Sequence, residues 1–350
     1  MEQKSKALMT WLVAILLTIP LQAVGADRQL VLLNWDEYLD AELVQRFERQ
    51  YGAEIIQILY SSEEDRTAKL VASNGVGYDL ILSSGIDLGS YVKRGWLAAI
   101  NEEKLPNLKY IDPALRAAFP DAKAYGLPYF WGTLGILYRS DLVQTPITSW
   151  TQLFKPTPDL QGKISMVEDG RDLISMGLKA LGYSANSTNR SQLKAVESLL
   201  LAQKPFVKSY LTLTLDAGSP LVSGEISASM SYSGDALMVE KHNANLTYVL
   251  PEEGGNIWID YFTISANARD PELAYLFLNF INEPENAAQL AQFLHYATPN
   301  KEAEELLPDN FLTDPSIYPA SKQLEKSEFY KPLPARAQRK RNQIMTRVLR

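Results

Sequence analysis

Residues 28–60 read RQLVLLNWDEYLDAELVQRFERQYGAEIIQILY, and the segment divides into strand, helix and strand. Leu30-Val31-Leu32-Leu33 is a short apolar strand. Asp40 can cap the helix that follows, whose Leu43, Val44, Phe47 and Tyr51 fall on one face and which Gly52 ends. Glu54-Ile55-Ile56-Gln57-Ile58-Leu59 is the second strand. A further helix carries Ala68, Leu70 and Val71, and Tyr78-Asp79-Leu80-Ile81-Leu82 is a third strand. Short links between alternating strands and helices predict an α/β fold: a parallel sheet with helices on both faces. Ligands on such sheets sit beyond the carboxyl ends of the strands. The residues there are Asn34-Trp35-Asp36-Glu37-Tyr38 after the first strand and Ser83-Ser84-Gly85 after the third. Neither place has a G-x-G-x-x-G or Walker pattern, so no nucleotide cofactor is implied.

Composition narrows the chemistry. At 350 residues the chain suits two domains rather than one compact core. It has no cysteine, which removes thiol catalysis, disulfides and thiolate metal sites. His242 and His295 are its two histidines, too few for a histidine metal site or triad to be a natural reading. A net charge of −7 disfavours a nucleic-acid partner and suits a cationic ligand. Against that acidity, Lys331 to Arg350 carries seven basic residues and no acid. That run is either a solvated helix or a docking surface for a membrane partner. At the other end, Lys4 and Lys6 precede an apolar run from Ala7 to Leu21 and then Ala23-Val24-Gly25-Ala26. This is the pattern of a signal peptide over residues 1–26, cleaved after Ala26, and it predicts export, in a bacterium to the periplasm.

Further along, Pro128-Tyr129-Phe130-Trp131-Gly132 leads into a strand over Thr133 to Tyr138, where the first crossing between domains is expected. Lys163 to Val167 is a strand, followed by a helix with Leu173, Met176, Leu178 and Leu181 as its apolar stripe. Asp169 and Asp172 stand at that helix start. They either cap it and complement its dipole, or offer paired carboxylates to a cation. Gly224 to Tyr232 is another strand, ending at Tyr232-Ser233-Gly234-Asp235. In Gly254-Gly255-Asn256-Ile257-Trp258-Ile259-Asp260, strand alternation puts Trp258 and Asp260 on one face. An aromatic face beside a carboxylate suits an organic ammonium ion, through cation–π attraction and a charge-assisted hydrogen bond. A core tryptophan beside a solvent-facing acid would give the same tripeptide. The recurrence of the pairing at Trp35 with Asp36, and at Tyr232 with Asp235, weighs for the site.

Taken in order, these words resemble the polyamine-binding family of bacterial extracytoplasmic solute-binding proteins. The matching residues are Asn34-Trp35-x-Glu37-Tyr38, Tyr78-Asp79-Leu80 with Ser83, Pro128-Tyr129-x-Trp131-Gly132, Asp169-x-Arg171 with Asp172, Gly254-Gly255 before Trp258-x-Asp260, and Tyr296-x-Thr298-Pro299-Asn300. The resemblance implies a two-lobed periplasmic binding protein (type II) fold with crossing hinge strands. Residues 27–132 with 262–300 would form lobe 1, and 133–261 with 301–350 lobe 2. It implies that Asp169, Asp172 and Asp260 meet ligand nitrogens, and that Trp35, Tyr38, Tyr232, Trp258 and Tyr296 wall its methylene chain. It places Asp36, Ser83 and Ser84 at polar contacts. Departures from the family pattern are Gly85 and Ile86 where relatives tend to show an aromatic, Tyr232 where a tryptophan is common, and the additional acid Asp235.

The expected function is a periplasmic protein that holds a polyamine of putrescine or spermidine type between two lobes and delivers it to an ABC transporter permease. The alternative is a sensor that reports ligand to a membrane receptor controlling cyclic-di-GMP. A secreted hydrolase using Asp169 with Asp172, or Asp36 with Glu37, fits poorly, since glycosidase carboxylates must flank the scissile bond about 5–9.5 Å apart. There is also no G-x-S-x-G or metal motif. No enzymatic activity and no cofactor are therefore expected.

Overall fold

The computed structural model describes residues 28–211 and 213–350, and the signal-peptide segment lies outside these described residues. In chain order the strands are β1 (Arg28–Trp35), β2 (Ala53–Tyr60), β3 (Leu80–Ser84), β4 (Gly126–Arg139) and β5 (Ile164–Met166). They continue with β6 (Val207–Tyr210), β7 (Ala228–Tyr232), β8 (Leu246–Val249) and β9 (Ile257–Ile264). The sheet runs β2-β1-β3-β9-β4-β7-β5-β6, with β8 paired to β4.

β1 shows why the sheet forms here. Leu30 and Leu32 enter one core and Val31 and Leu33 another, so both faces of the strand are dry. A leucine or valine buried this way contributes roughly 1.5–3 kcal/mol relative to exposure. The next helix, Ala41–Tyr51, starts where the Asp40 carboxylate accepts from the Glu42 amide, and it buries Leu43 and Phe47. It ends at Gly52, whose φ of 58° is left-handed.

The sheet is mixed, not parallel as the first three strands suggested. β1–β2, β1–β3, β5–β6 and β5–β7 are parallel, but β9 lies antiparallel between β3 and β4. The difference arises because β4 is one continuous strand rather than two. From Gly126 to Thr133 it pairs with β9, and from Leu134 to Arg139 with β7 and β8. It therefore belongs to two lobes at once. One lobe is packed around Leu30, Phe47, Leu82, Phe262 and Phe277 on one face of its sheet, and around Tyr60, Tyr91, Ile259 and Tyr261 on the other. The second is packed around Trp150, Phe154, Ile164, Leu173 and Met230. Leu307, Phe311 and Ile317 join the first of these cores, although residues 301–350 were expected together in the second lobe. The chain returns later: Tyr330, Ile344 and Val348 are in the second core. The basic helix Ala335–Leu349 is thus packed along one side and not simply solvated.

Three segments cross between the lobes and bond to one another. Leu134 N–H donates to Asn256 O at 3.0 Å, Ile257 N–H to Glu328 O at 3.1 Å, and Glu328 N–H to Gly255 O at 3.0 Å. The Gly255 amide also donates to Ser327 Oγ at 3.0 Å. No side chain fits at Gly255, because a Cβ there would overlap the Leu134 carbonyl. Gly254 is constrained as well, with φ at +78° and its missing Cβ directed at the Lys326 backbone.

Gly255→Ala should therefore destabilise the protein by about 1–3 kcal/mol, since the overlapped atom is backbone and cannot rotate away. Gly182→Ala is the control: φ is +75° but its surroundings are open, so only backbone strain of about 1 kcal/mol is expected. Urea unfolding of both variants measures the difference. Equal losses would mean the crossing is not tightly packed at Gly255.

Candidate functional site

The carboxyl ends of β1, β3 and β7, together with β9, converge on the gap between the lobes. Four aromatic rings run across it in sequence. Tyr38 meets Tyr296 with centroids 6.0 Å apart, Tyr296 meets Trp258 at 4.8 Å, and Trp258 meets Tyr232 at 6.2 Å, each edge to face. Tyr38 is turned inward after β1 by a left-handed Glu37, with φ 52°. Its carbonyl accepts from the Tyr129 hydroxyl at 2.9 Å, which fixes the loop. Tyr296 lies close against Gly234, where a Cβ would sit 2.5 Å from the ring.

Each tyrosine of the row lies beside a carboxylate. Tyr232 donates to Asp172 Oδ2 at 2.5 Å and Tyr296 to Asp235 Oδ1 at 2.8 Å. The Tyr38 hydroxyl faces Asp260 without a hydrogen bond of good geometry and has no other partner. Asp260 is 8% exposed and Asp172 3%. Burial pushes the Asp260 carboxyl up to about 6, opposed by the charge of Arg66 and by Tyr38. Asp235 is likewise raised to about 6 by burial, against the pull of the Tyr296 hydroxyl. Asp172 rises to about 7, through burial and then the nearby Asp169, despite its hydrogen bonds. Among the described residues no lysine or arginine forms an ion pair with any of the three. Asp172 and Asp260 are thus buried and Asp235 half-buried, each beside a phenol and none in an ion pair.

Four polar atoms on these strands and their ends lack partners. Trp258 Nε1, Trp131 Nε1, Ser83 Oγ and Ser233 Oγ are buried with no hydrogen-bond partner. Ser84 stands directly opposite Asp260 in the β3–β9 register. Behind that strand pair, Arg66 is fully buried. It pairs with Asp87 at 2.6 Å and with Glu63, and lies 5.3 Å from the Tyr60 ring centroid. Trp35 is outside the row of four; it packs on Tyr60, centroids 4.4 Å apart.

Not every residue singled out from sequence faces the gap in the same way. Asp36 is exposed and its carboxylate accepts from the Glu37 amide at 3.0 Å. Asp169 acts as the helix cap, with Oδ1 accepting from the Arg171 and Asp172 amides at 2.8 and 2.9 Å. Both oxygens of Asp172 are occupied, since Tyr330 donates to Oδ1 at 2.6 Å. Tyr330, which bonds Asp172, and Trp131 and Ser233, with their unpartnered polar atoms, were not among the candidates read from sequence. Trp131 and Ser233 lay inside words already quoted, whereas nothing local marks Tyr330, which reaches Asp172 from 158 residues away.

The chain matches a family profile described as bacterial extracellular solute-binding protein over residues 42–320. The spermidine/putrescine-binding periplasmic protein of Escherichia coli is 31% identical over 317 residues, which is 89% of this chain and 90% of that one. A solved protein from Listeria monocytogenes superposes with a TM-score of 0.85 at 32% identity, covering 92% of this chain and 99% of its own. A spermidine/putrescine ABC transporter substrate-binding protein from Streptococcus pneumoniae gives 0.79 at 28% identity, covering 92% and 98%. The architecture is thus the two-lobed α/β fold of periplasmic binding proteins, type II, with crossing hinge strands.

The raised carboxyls set a pH dependence with a definite sign. A folded value near 6 for Asp260, above the ordinary 3.8, means the native state binds more protons than the unfolded chain between those values, so stability falls as pH rises through that window. Asp260→Asn should accordingly raise the stability of the ligand-free protein at pH 7.5 by roughly 1–3 kcal/mol. At pH 4, close to the ordinary 3.8, little of the ionisation cost remains and most of the gain should vanish. Thermal midpoints of both proteins at the two pH values check this. A gain of the same size at pH 4 would show that the charge is not the cause.

Proposed function

We propose that this chain, which belongs to the polyamine-binding branch of the bacterial extracellular solute-binding proteins, closes its lobes on a linear di- or triamine. The observation that carries the reading is the row Tyr38–Tyr296–Trp258–Tyr232 with carboxylates beside it that burial raises and that enter no ion pair. An organic amine supplies what that row lacks. Its ammonium groups would pair with Asp260 and Asp235, each of which has at least one oxygen without a strong donor. Its methylenes would lie against the rings. Burying each ammonium is costly unless it is paired and hydrogen-bonded, which is why acids and unsatisfied acceptors must be in place beforehand. Each cation–π contact adds roughly 0.5–2 kcal/mol once desolvated. A few such contacts and two ion pairs account for micromolar binding, about −8 kcal/mol.

Trp35, Ser83 and Ser84 complete the first-lobe wall in this reading. Asp172, held by two phenols, acts by fixing Tyr232 and Tyr330, with Asp169 holding the helix start beneath it. Asp36 contributes charge at the mouth. The lobes open and shut by twisting about the three bonded crossings. Tyr296 in the first lobe reaches Asp235 in the second, so the closed arrangement completes that carboxylate's surroundings. The relatives named above are periplasmic binding or transporter substrate-binding proteins. That favours delivery to an ABC permease, with the chain exported to the periplasm, over the signalling alternative. Hydrolysis fits less well still, because Asp169 and Asp172 are committed to a cap and to two tyrosines.

A thermal-shift screen of putrescine, spermidine, norspermidine, cadaverine and agmatine should raise the midpoint with at least one amine, since only a ligand preferring the native state does so. A shift with a sugar or amino acid and none with any amine would overturn the ligand class. Calorimetry on Trp258→Ala and Asp260→Asn should show at least tenfold weaker binding of that amine; unchanged affinity in both would remove the site. Binding needs ionised carboxylates, so affinity of the native protein should drop at least about tenfold from pH 7.5 to pH 5.

A further inference from the structure

A second cavity between the lobes has the opposite electrostatic character. It encloses about 260 Å³, walled by Ile86, Asp87 and Ser90 from the first lobe and by Arg171, Lys331 and Arg341 from the second. That is space for roughly eight water molecules. Its one acid is already engaged, for Asp87 pairs with Arg66 at 2.6 Å and with Arg171 at 3.5 Å. The other cations are not. Arg341 is 3% exposed and donates to Ser175 Oγ at 2.9 Å, Ala185 O at 2.8 Å and Ser187 O at 3.1 Å, all of them neutral. Its Nε–H is buried with no acceptor. Burial, with a lesser push from the charge of Arg171 and against the pull of Tyr330, brings the guanidinium down to about 10. Lys331 is exposed and enters no ion pair among the described residues.

A buried cation with only neutral partners is costly, and an anion at hydrogen-bond distance offsets that cost. We propose that this cavity binds a small, multiply charged oxyanion of phosphate or carboxylate type and that the anion stabilises the closed lobes. Both lobes supply the walls, so the site is complete only when they are together. It also shares parts with the amine site. Tyr330 lines the cavity and donates to Asp172, and Arg171 directly precedes Asp172 on its helix. Two ligands that each prefer the closed arrangement strengthen one another's binding reciprocally. This coupling rests on the amine-binding reading, whereas anion binding itself does not.

The test titrates the full chain with inorganic phosphate, and separately with malonate, against sodium chloride at equal ionic strength. The thermal midpoint without amine should rise by at least about 2 °C with one of the two oxyanions and not with chloride. Amine affinity in the same buffer should rise at least about threefold. Lys331→Glu, an exposed change on the cavity wall, should abolish both effects. Arg339→Glu, exposed on the helix that carries Arg341 but not part of the cavity wall, should retain both. No shift beyond chloride, or an equal shift in Lys331→Glu, overturns the site. A midpoint shift with unchanged amine affinity overturns the coupling and leaves the site standing. A shift with oxyanion in a protein that binds no amine supports the site and sinks the amine reading.

Discussion

Burying a carboxylate beside a phenol, with no ion pair to offset the cost, is the constraint to which the rest of this molecule answers. Asp172, Asp235 and Asp260 are each raised by burial. A chain free to relax would turn such groups to water. Here they are held because each is mounted on something that cannot easily move. Asp260 is on a strand flanked on both sides, opposite Ser84 and Phe130. Asp172 is in the first turn of a helix that buries eight of its eleven residues. Asp235 lies in the short helix directly after β7. The rigid scaffold keeps the acids where solvent would otherwise draw them, and on the proposed amine-binding reading that preorganisation lowers the cost of holding a cation.

The framework of the first lobe was readable from local pattern. The apolar run of β1, the Asp40 cap and the Gly52 stop all express short-range rules, and the structure obeys them. So was the alternation along β9, since Ile259 and Tyr261 face one core and Phe262 and Ile264 the other. What was not readable depends on partners far away in sequence. Whether β9 runs parallel or antiparallel is set by β3 and β4, more than 100 residues earlier. A phenol at position 330 carries no sign that it will meet Asp172.

The site was legible as chemistry and less so as geometry. Aromatic–acid words at strand ends named Tyr232, Trp258, Asp260 and Asp235, the family resemblance added Tyr38 and Tyr296, and the structure brings all six together. The same reasoning named Asp36, which satisfies its own neighbour's amide, and Trp35, which packs on Tyr60. An acid beside an aromatic in sequence states composition only. Side-chain direction after a strand end is set by the turn, here by the left-handed Glu37.

The position of β9 has a consequence for how the chain assembles. It is wedged between β3 and β4, pairing Ser83 with Tyr261 and Gly126 with Thr263. The first lobe therefore cannot complete its sheet from the first 139 residues, although four of its five strands, β1 to β4, are there. It must wait while the whole of β5 to β8 is made and folded aside. Until then the edges of β3 and β4 expose unpaired backbone, the state in which strands pair wrongly. Contacts of such long sequence separation also slow folding. A chain that emerges from its amino end thus carries an unfinished lobe for most of its synthesis, and the last third of the sequence acts as the keystone.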